Sequence, residues 1–330
     1  MHLTATSPSA PAPTGAGVFV TRWNLLGLEG ISRETILELL DDASRYRDRM
    51  REHRMPTGEL TGVTVCNAFF EDSTRTRVSF ELAEQFLGAV HTSFTTGGSS
   101  VSKGETLLDT LRVIASMRVD ILIVRHASSG TASYLARHLD AAVINAGDGR
   151  HEHPTQGLLD LMTLRSAWKG RFEGRRVAIV GDIAHSRVAR SAIHGLNALG
   201  VDVTLAGPAT LIPAEVESLG VAVAPKVEDA MAGADAVMTL RIQKERMDAG
   251  LLPSLGEYSK VWGLTAERVA LMKPEAVVLH PGPMNRGIEI APDVADGARS
   301  VILDQVTNGV AIRCAVLKRC AGALAREAVQ

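Results

Sequence analysis

The chain has 330 residues, enough for two domains, and its 35 basic and 37 acidic residues leave a net charge of −2. So balanced a surface argues against nucleic acid or a membrane as the main partner, and no apolar run reaches membrane-spanning length. With 4% aromatic and 45% hydrophobic residues, the composition suits a helix-rich α/β protein with a core of Ala, Leu and Val.

Residues 1–20 are mostly Ala, Pro, Thr, Ser and Gly. They have neither the basic start and apolar block of a secretion signal nor the arginines of a transit peptide, and read as a disordered extension. Ser32 then precedes a helix with Ile36, Leu37, Leu39 and Leu40 inward. The pattern predicts strand Val63 to Phe69, helix Arg75 to Leu87 closed by Gly88, and strand Ala89 to Phe94. A helix (Gly104 to Met117), a strand (Asp120 to Val124), a further helix and a strand (Ala142 to Asn145) follow. Pro154 sits in the first turn of a helix running to about Trp168. The basic stretch Lys169 to Arg176 marks a boundary.

A second series begins with strand Arg176 to Gly181. It continues through Val201 to Ala206, Val221 to Ala224, Ala234 to Leu240 and Ala276 to His280, and ends in an Ala-rich helix from about Gln305. Alternating short apolar runs and helical patterns indicate an α/β fold: two doubly wound parallel-sheet domains joined by helices, with the active site in the cleft between them. Cys66 lies in an apolar strand, while Cys314 and Cys320 face different ways on a helix. Three such cysteines make no disulfide framework and point to a reduced, cytoplasmic protein.

The polar clusters follow predicted strands, where an α/β sheet presents its ligands. Glu71 to Arg77 packs Ser73, Thr74, Arg75 and Thr76 into a helix start. Outward-pointing N–H groups and the helix dipole there favour an anion such as phosphate. Further on come Ser99 to Thr106 with Lys103, then Arg125-His126, then Asn145 to Gln156. The second series carries Asp182, His185 and Arg187, then Arg241, Gln243 and Arg246, then His280-Pro-Gly-Pro283.

His151-Glu152-His153 could suggest a metal, but neither His-Glu-x-x-His nor Cys-x-x-Cys occurs, so no metal is expected. Gly181-Asp182 starts like a nucleotide-binding turn, but no second or third glycine follows, and no Gly-x-x-x-x-Gly-Lys-Ser/Thr loop is present. A cofactor-free site with excess positive charge remains. It suits a phosphorylated donor and a di-acid acceptor, with catalysis by positioning and charge stabilisation.

Ser73-Thr-Arg-Thr-Arg77 and His153-Pro-Thr-Gln156 resemble the two signatures of the transcarbamoylases. Ser99-x3-Lys103-Gly-Glu-Thr-Leu107, Asn145-Ala-Gly-Asp-Gly149, Arg241-x-Gln243-x-Glu-Arg246 and His280-Pro-x-Pro283 resemble the aspartate type of that family. The Ser-Met-Gly and His-Cys-Leu-Pro stretches of the ornithine type do not occur. The resemblance runs from about Trp23 to Ala325. It implies attack of the amino group of L-aspartate on carbamoyl phosphate, giving N-carbamoyl-L-aspartate and phosphate, an early step of pyrimidine synthesis.

It also implies roles. Ser73, Thr74, Arg75 and Thr76 would bind phosphate, and Arg125, His153 and Thr76 would polarise the carbonyl. Gln156 and the backbone near Gly282 and Pro283 would hold the carbamoyl NH2, while Arg187, Arg241 and Gln243 would take the aspartate carboxylates. In the family's trimer, Ser99 and Lys103 come from the adjacent subunit, Lys103 as a catalytic and aspartate-binding residue. Glu71 would pair with Arg187 and Arg246 on domain closure.

The implied domains are 21–168 for carbamoyl phosphate, completed by helix 304–330, and 169–303 for aspartate. Regulatory chains or a dihydroorotase-like subunit are further partners the family admits. Another amine acceptor such as ornithine, or an inert assembly subunit, are the alternative readings. A positively lined acceptor pocket weighs against the first, and the presence of Arg75, Lys103, Arg125 and His153 against the second.

Overall fold

A computed structural model of the chain describes residues 22–95, 105–242 and 254–325. The strands β1 (Thr64–Phe69), β2 (Val90–Thr95), β3 (Ile121–His126) and β4 (Ala142–Asp148) form a parallel sheet in the order β2-β1-β3-β4. A second parallel sheet, ordered β7-β6-β5-β8-β9, holds β5 (Arg176–Val180), β6 (Asp202–Ala206), β7 (Ala222–Val223), β8 (Ala236–Thr239) and β9 (Val277–Leu279).

Central strands such as Ile121-Leu-Ile-Val are apolar throughout because helices cover both faces. Alternate residues go to opposite sides. Val65, Phe69, Ile121 and Ile123 meet α1 (Arg33–Arg51), α2 (Thr74–Leu87), α5 (Pro154–Ala167) and α11 (Ile302–Ala325). Cys66, Ala68, Leu122 and Val124 pack with Leu111 of α3 (Leu107–Ala115) and Leu135 of α4 (Thr131–Ala136). In the second sheet Val177 and Ile179 share a cluster with α6 (Arg187–Ala198), while Ala178 and Val180 share one with α7 (Val227–Met231), α9 (Ala266–Val269) and α10 (Pro292–Ala295), against which Trp262 of α8 (Leu255–Trp262) packs. Two doubly wound parallel sheets therefore build the chain.

The first cluster is continuous from β1 and β3 through α5 and α6 to β5. Helix α11 packs on α1, α2 and α5, returning the end of the chain to the first sheet. All three cysteines are free and buried. Among the described residues, no helix is long and apolar enough to cross a membrane.

Three element ends differ from expectation by three residues. Strand β4 runs on to Asp148, because His126 pairs with Asp148 across an irregularity and Asp148 bridges back to Glu152. Helix α3 begins only at Leu107, where the Thr106 side chain caps Asp109 N at 3.2 Å. Helix α11 begins at Ile302, three residues before Gln305.

Both sheets reverse their strand order beside their first strand, between β1 and β3 and between β5 and β8. Ligand sites of open α/β sheets lie at such points, beyond the carboxyl ends of the strands. Phe69 pairs with Arg125 at the first switch point, and Val180 with Thr239 at the second. The segments leaving these ends carry Glu71 to Arg77 and Arg125, and Arg187 and Arg241.

Candidate active site

Helix α2 opens with an unusual cap. Ser73 occupies the N-cap position, yet its side chain makes no capping hydrogen bond, and no acidic residue lies in the first turn. The first-turn N–H groups therefore keep their affinity for an external anion. Thr74 is exposed, Ser73 half-buried and Thr76 buried in this turn.

Arg75, exposed on the same turn, reaches across to the second sheet. Gly282 has φ +60°, and a Cβ there would overlap Arg75 Nη1. Partial loss of water and then the nearby Arg241 hold the Arg75 guanidinium below its usual range. Two guanidiniums from different sheets thus share a region whose repulsion an anion would relieve.

Arg125 is the penultimate residue of β3, and its Nη1 donates to Ala146 O at 3.1 Å. Arg187, the first residue of α6, is buried; its Nη2 donates to Glu71 Oε2 at 2.9 Å and its Nη1 to Gly149 O at 3.4 Å. Arg125 Nε lies 3.4 Å from the same Glu71 oxygen. Gly147, at φ +117°, makes this crowding feasible: a Cβ there would sit 3.0 Å from Arg187 Nε and 3.2 Å from Arg125 Nη1.

His153 is the N-cap residue of α5, with Pro154 following. Its N–H donates to Ser191 Oγ at 2.9 Å, and Ser191 donates to Glu152 Oε2 at 2.8 Å. The residue is 6% exposed, and its ring Nδ1 has no protein partner among the described residues. Burial, then Arg125, Arg187, Arg313 and Arg75, hold the imidazole well below its ordinary range, so it is neutral at physiological pH. A neutral ring amid cations can donate one N–H to a carbonyl oxygen that gains charge.

Gln156 Nε2 donates to Asp160 Oδ1 at 2.9 Å. Around Gly282 the chain is pinned by Gly282 N to His280 Nδ1 at 2.7 Å, and by His280 Nε2 3.2 Å from Glu289 Oε1. Ser99, Lys103, Gln243 and Arg246 lie outside the described residues.

The His151-Glu152-His153 run splits three ways. His151 Nδ1 turns to Asp148 Oδ2 at 3.1 Å, and Glu152 accepts from Leu28 N at 2.7 Å and Glu29 N at 3.2 Å. Among the described residues, the grouping with metal-ligand spacing is instead Glu29, Glu152 and His194. Glu152 there already serves two backbone amides and Ser191.

Residues 23–166 match the carbamoyl-P binding domain of the aspartate/ornithine carbamoyltransferases, and residues 173–320 match their Asp/Orn binding domain. The chain belongs to the aspartate/ornithine carbamoyltransferase family. It is 55% identical over 294 residues to the aspartate carbamoyltransferase catalytic subunit of Sorangium cellulosum, covering 89% of this chain and 91% of that one. The Gluconobacter oxydans catalytic subunit is also 55% identical, over 90% of this chain and 95% of its own. Among solved structures, Trypanosoma cruzi aspartate transcarbamoylase with carbamoyl phosphate and aspartate superposes with a TM-score of 0.81 at 30% identity, covering 91% of this chain and 97% of that chain. The ornithine carbamoyltransferase of Pyrococcus furiosus gives 0.79 at 30% identity, covering 89% and 95%.

Three residues of this cluster do not stand out from the sequence. Gly147 was legible only as part of a motif, and Ser191 as one hydroxyl on an amphipathic helix. Asp160 did leave a signal: a carboxylate inside the run Leu158-Leu-Asp-Leu161, one helical turn after Gln156, is an acid buried with a partner.

Proposed function

We propose that this protein is an aspartate carbamoyltransferase, transferring the carbamoyl group of carbamoyl phosphate to the amino group of L-aspartate in pyrimidine synthesis. The observation that carries this is the placing of Arg75 and Arg125 at one switch point and Arg187 and Arg241 at the other, around a buried neutral His153.

The phosphate of the donor fits the uncapped start of α2, with Ser73, Thr74, Arg75 and Thr76 as its partners. The aspartate amine attacks the carbonyl carbon and forms a C–N bond. The carbonyl oxygen takes the displaced electron pair, and Arg125, His153 and Thr76 stabilise that charge. Collapse breaks the bond to the phosphate oxygen and expels phosphate with the pair, while the amine proton passes to phosphate or solvent. Gln156 and the backbone at Gly282 and Pro283 hold the carbamoyl NH2. Arg187, Arg241 and Gln243 take the aspartate carboxylates, a match that a second ammonium, as in ornithine, would oppose.

The division at 169, with the segment from 304 counted with the first domain, a cytoplasmic location and a homotrimer completed by a neighbour's Ser99 and Lys103 belong to the same proposal. The match to catalytic subunits supports an assembly, with regulatory or dihydroorotase-like partners as its further extension.

The test is an acceptor screen with carbamoyl phosphate. L-Aspartate is expected to give N-carbamoyl-L-aspartate and phosphate in equal amounts, and L-ornithine no product. Turnover of ornithine in preference to aspartate would refute the assignment.

A further inference from the structure

Asp160 lies on α5 with 1% of its surface exposed, and its Oδ1 accepts from two amides. One is Gln156 Nε2 at 2.9 Å, on the same helix; the other is Gln305 Nε2 at 2.7 Å, on α11. Gln305 in turn accepts from His280 N through Oε1 at 3.0 Å, at the end of β9. A single carboxylate oxygen thus ties the Gln156 side chain to the turn that carries Gly282 and Pro283.

The orientation of both amides follows. A carboxylate oxygen only accepts, so each glutamine must present its NH2 to Asp160 and turn its carbonyl oxygen away. For Gln305 that oxygen meets His280 N. For Gln156, which is half-buried, Oε1 is left facing away from Asp160. Without this anchor the two ends of the Gln156 amide are nearly the same size, and either could face a ligand.

We propose that Asp160 is a positioning residue that fixes the Gln156 amide with its oxygen toward the substrate, making the site select a donor bearing NH2 on its carbonyl. The proposal rests on the assignment of Gln156 to the carbamoyl group. The same hub holds the 280–283 turn in register with Gln156, so that acceptors on α5 and on the turn after β9 address one NH2.

A purely structural role accounts less well for this geometry. An apolar residue would fit the leucine-rich face of α5 without the cost of burying a carboxyl group. That cost is visible: burial raises the acid to about 7 against the pull of Gln305 and Gln156, and Oδ2 has no protein partner among the described residues. Oδ1 accepts both amides whether or not Oδ2 carries a proton.

The experiment compares KM for carbamoyl phosphate with the inhibition constant of acetyl phosphate, which replaces NH2 by CH3. The proteins are wild type, Gln156→Ala, Asp160→Leu, Asp160→Asn and the double variant Gln156→Ala/Asp160→Leu, each checked for folding by circular dichroism. Gln156→Ala is expected to raise KM for carbamoyl phosphate about tenfold and leave acetyl phosphate binding within about twofold. Asp160→Leu should reproduce that pattern, and the double variant should lose no more than either single one. Asp160→Asn, which keeps an amide oxygen for both glutamines, should stay within about threefold of wild type.

An Asp160→Leu enzyme with unchanged discrimination, or a loss that adds fully to that of Gln156→Ala, would overturn the role of Asp160 alone. If Asp160→Leu does not fold, lost discrimination in folded Asp160→Asn overturns it equally. Unchanged discrimination in Gln156→Ala would instead remove the Gln156 assignment, and the proposal with it.

Discussion

Glu71 and Arg187 join the segments that leave the two sheets: Arg187 Nη2 donates to Glu71 Oε2 at 2.9 Å. The same oxygen lies 3.4 Å from Arg125 Nε, so one carboxylate holds together a guanidinium assigned to the carbonyl and one assigned to aspartate. Their side chains are only 18% and 5% exposed for Glu71 and Arg187, which makes the pair costly to break from one side. Glu71→Ala is expected to raise KM for aspartate at least about tenfold and to lower kcat, with carbamoyl phosphate affinity kept. Steady-state kinetics check this, and a variant with normal aspartate KM would reduce Glu71 to an acid near a helix start.

Arg75 bears on the donor. Its guanidinium combines a place at the uncapped start of α2 with a position against Gly282. Arg75→Ala should lower kcat/KM about a hundredfold or more, the size of a lost charge-assisted contact in a partly dehydrated site. Near-normal kinetics in a folded variant would end the phosphate assignment.

His153 makes a prediction about pH. Folding holds its pKa well below the ordinary range, so the folded ring stays neutral where the unfolded chain begins to take a proton. Below about 6.5 the unfolded chain does take one, and burial of this ring then costs stability as pH falls. In an NMR titration the His153 ring signals, assigned with a His153→Gln variant, should stay at neutral-imidazole positions through pH 6. A midpoint near 6.5 would contradict the electrostatic account.

Glu84 has the opposite sign. It is fully buried on α2, with Asn67 Nδ2 2.9 Å from both carboxylate oxygens. Burial raises it to about 8, the Asn67 hydrogen bond opposing and Glu81 adding; the Cys66 thiol is raised in turn, chiefly by burial and then by Glu84. Unfolding therefore releases a proton between the carboxyl's ordinary range and pH 8, and stability falls as pH rises through that window. Glu84→Gln should remove about 1 kcal/mol of that loss per pH unit. Urea unfolding at pH 5 and pH 8.5 measures it, and equal slopes in both proteins would refute it.

What the sequence determined by itself was whatever depends on neighbours along the chain. Apolar runs such as Ile121 to Val124, the proline at the start of α5 and the Ser-Thr-Arg-Thr-Arg turn specify strands, helices and an anion-binding helix start. Their regular alternation implies parallel sheets, and with them where ligands gather. What only the tertiary structure decided were the contacts between distant segments. Gln305 meets Asp160 across 145 positions, and Arg125 joins Arg187 on a single oxygen of Glu71. The split of His151, Glu152 and His153 among Asp148, the Leu28–Glu29 amides and Ser191 is of the same kind. Periodicity tells which face of an element is buried but not which residue of another element lies against it. That choice is made when α5, α6 and α11 pack into one continuous core, and the burial and charge of each site residue follow from it.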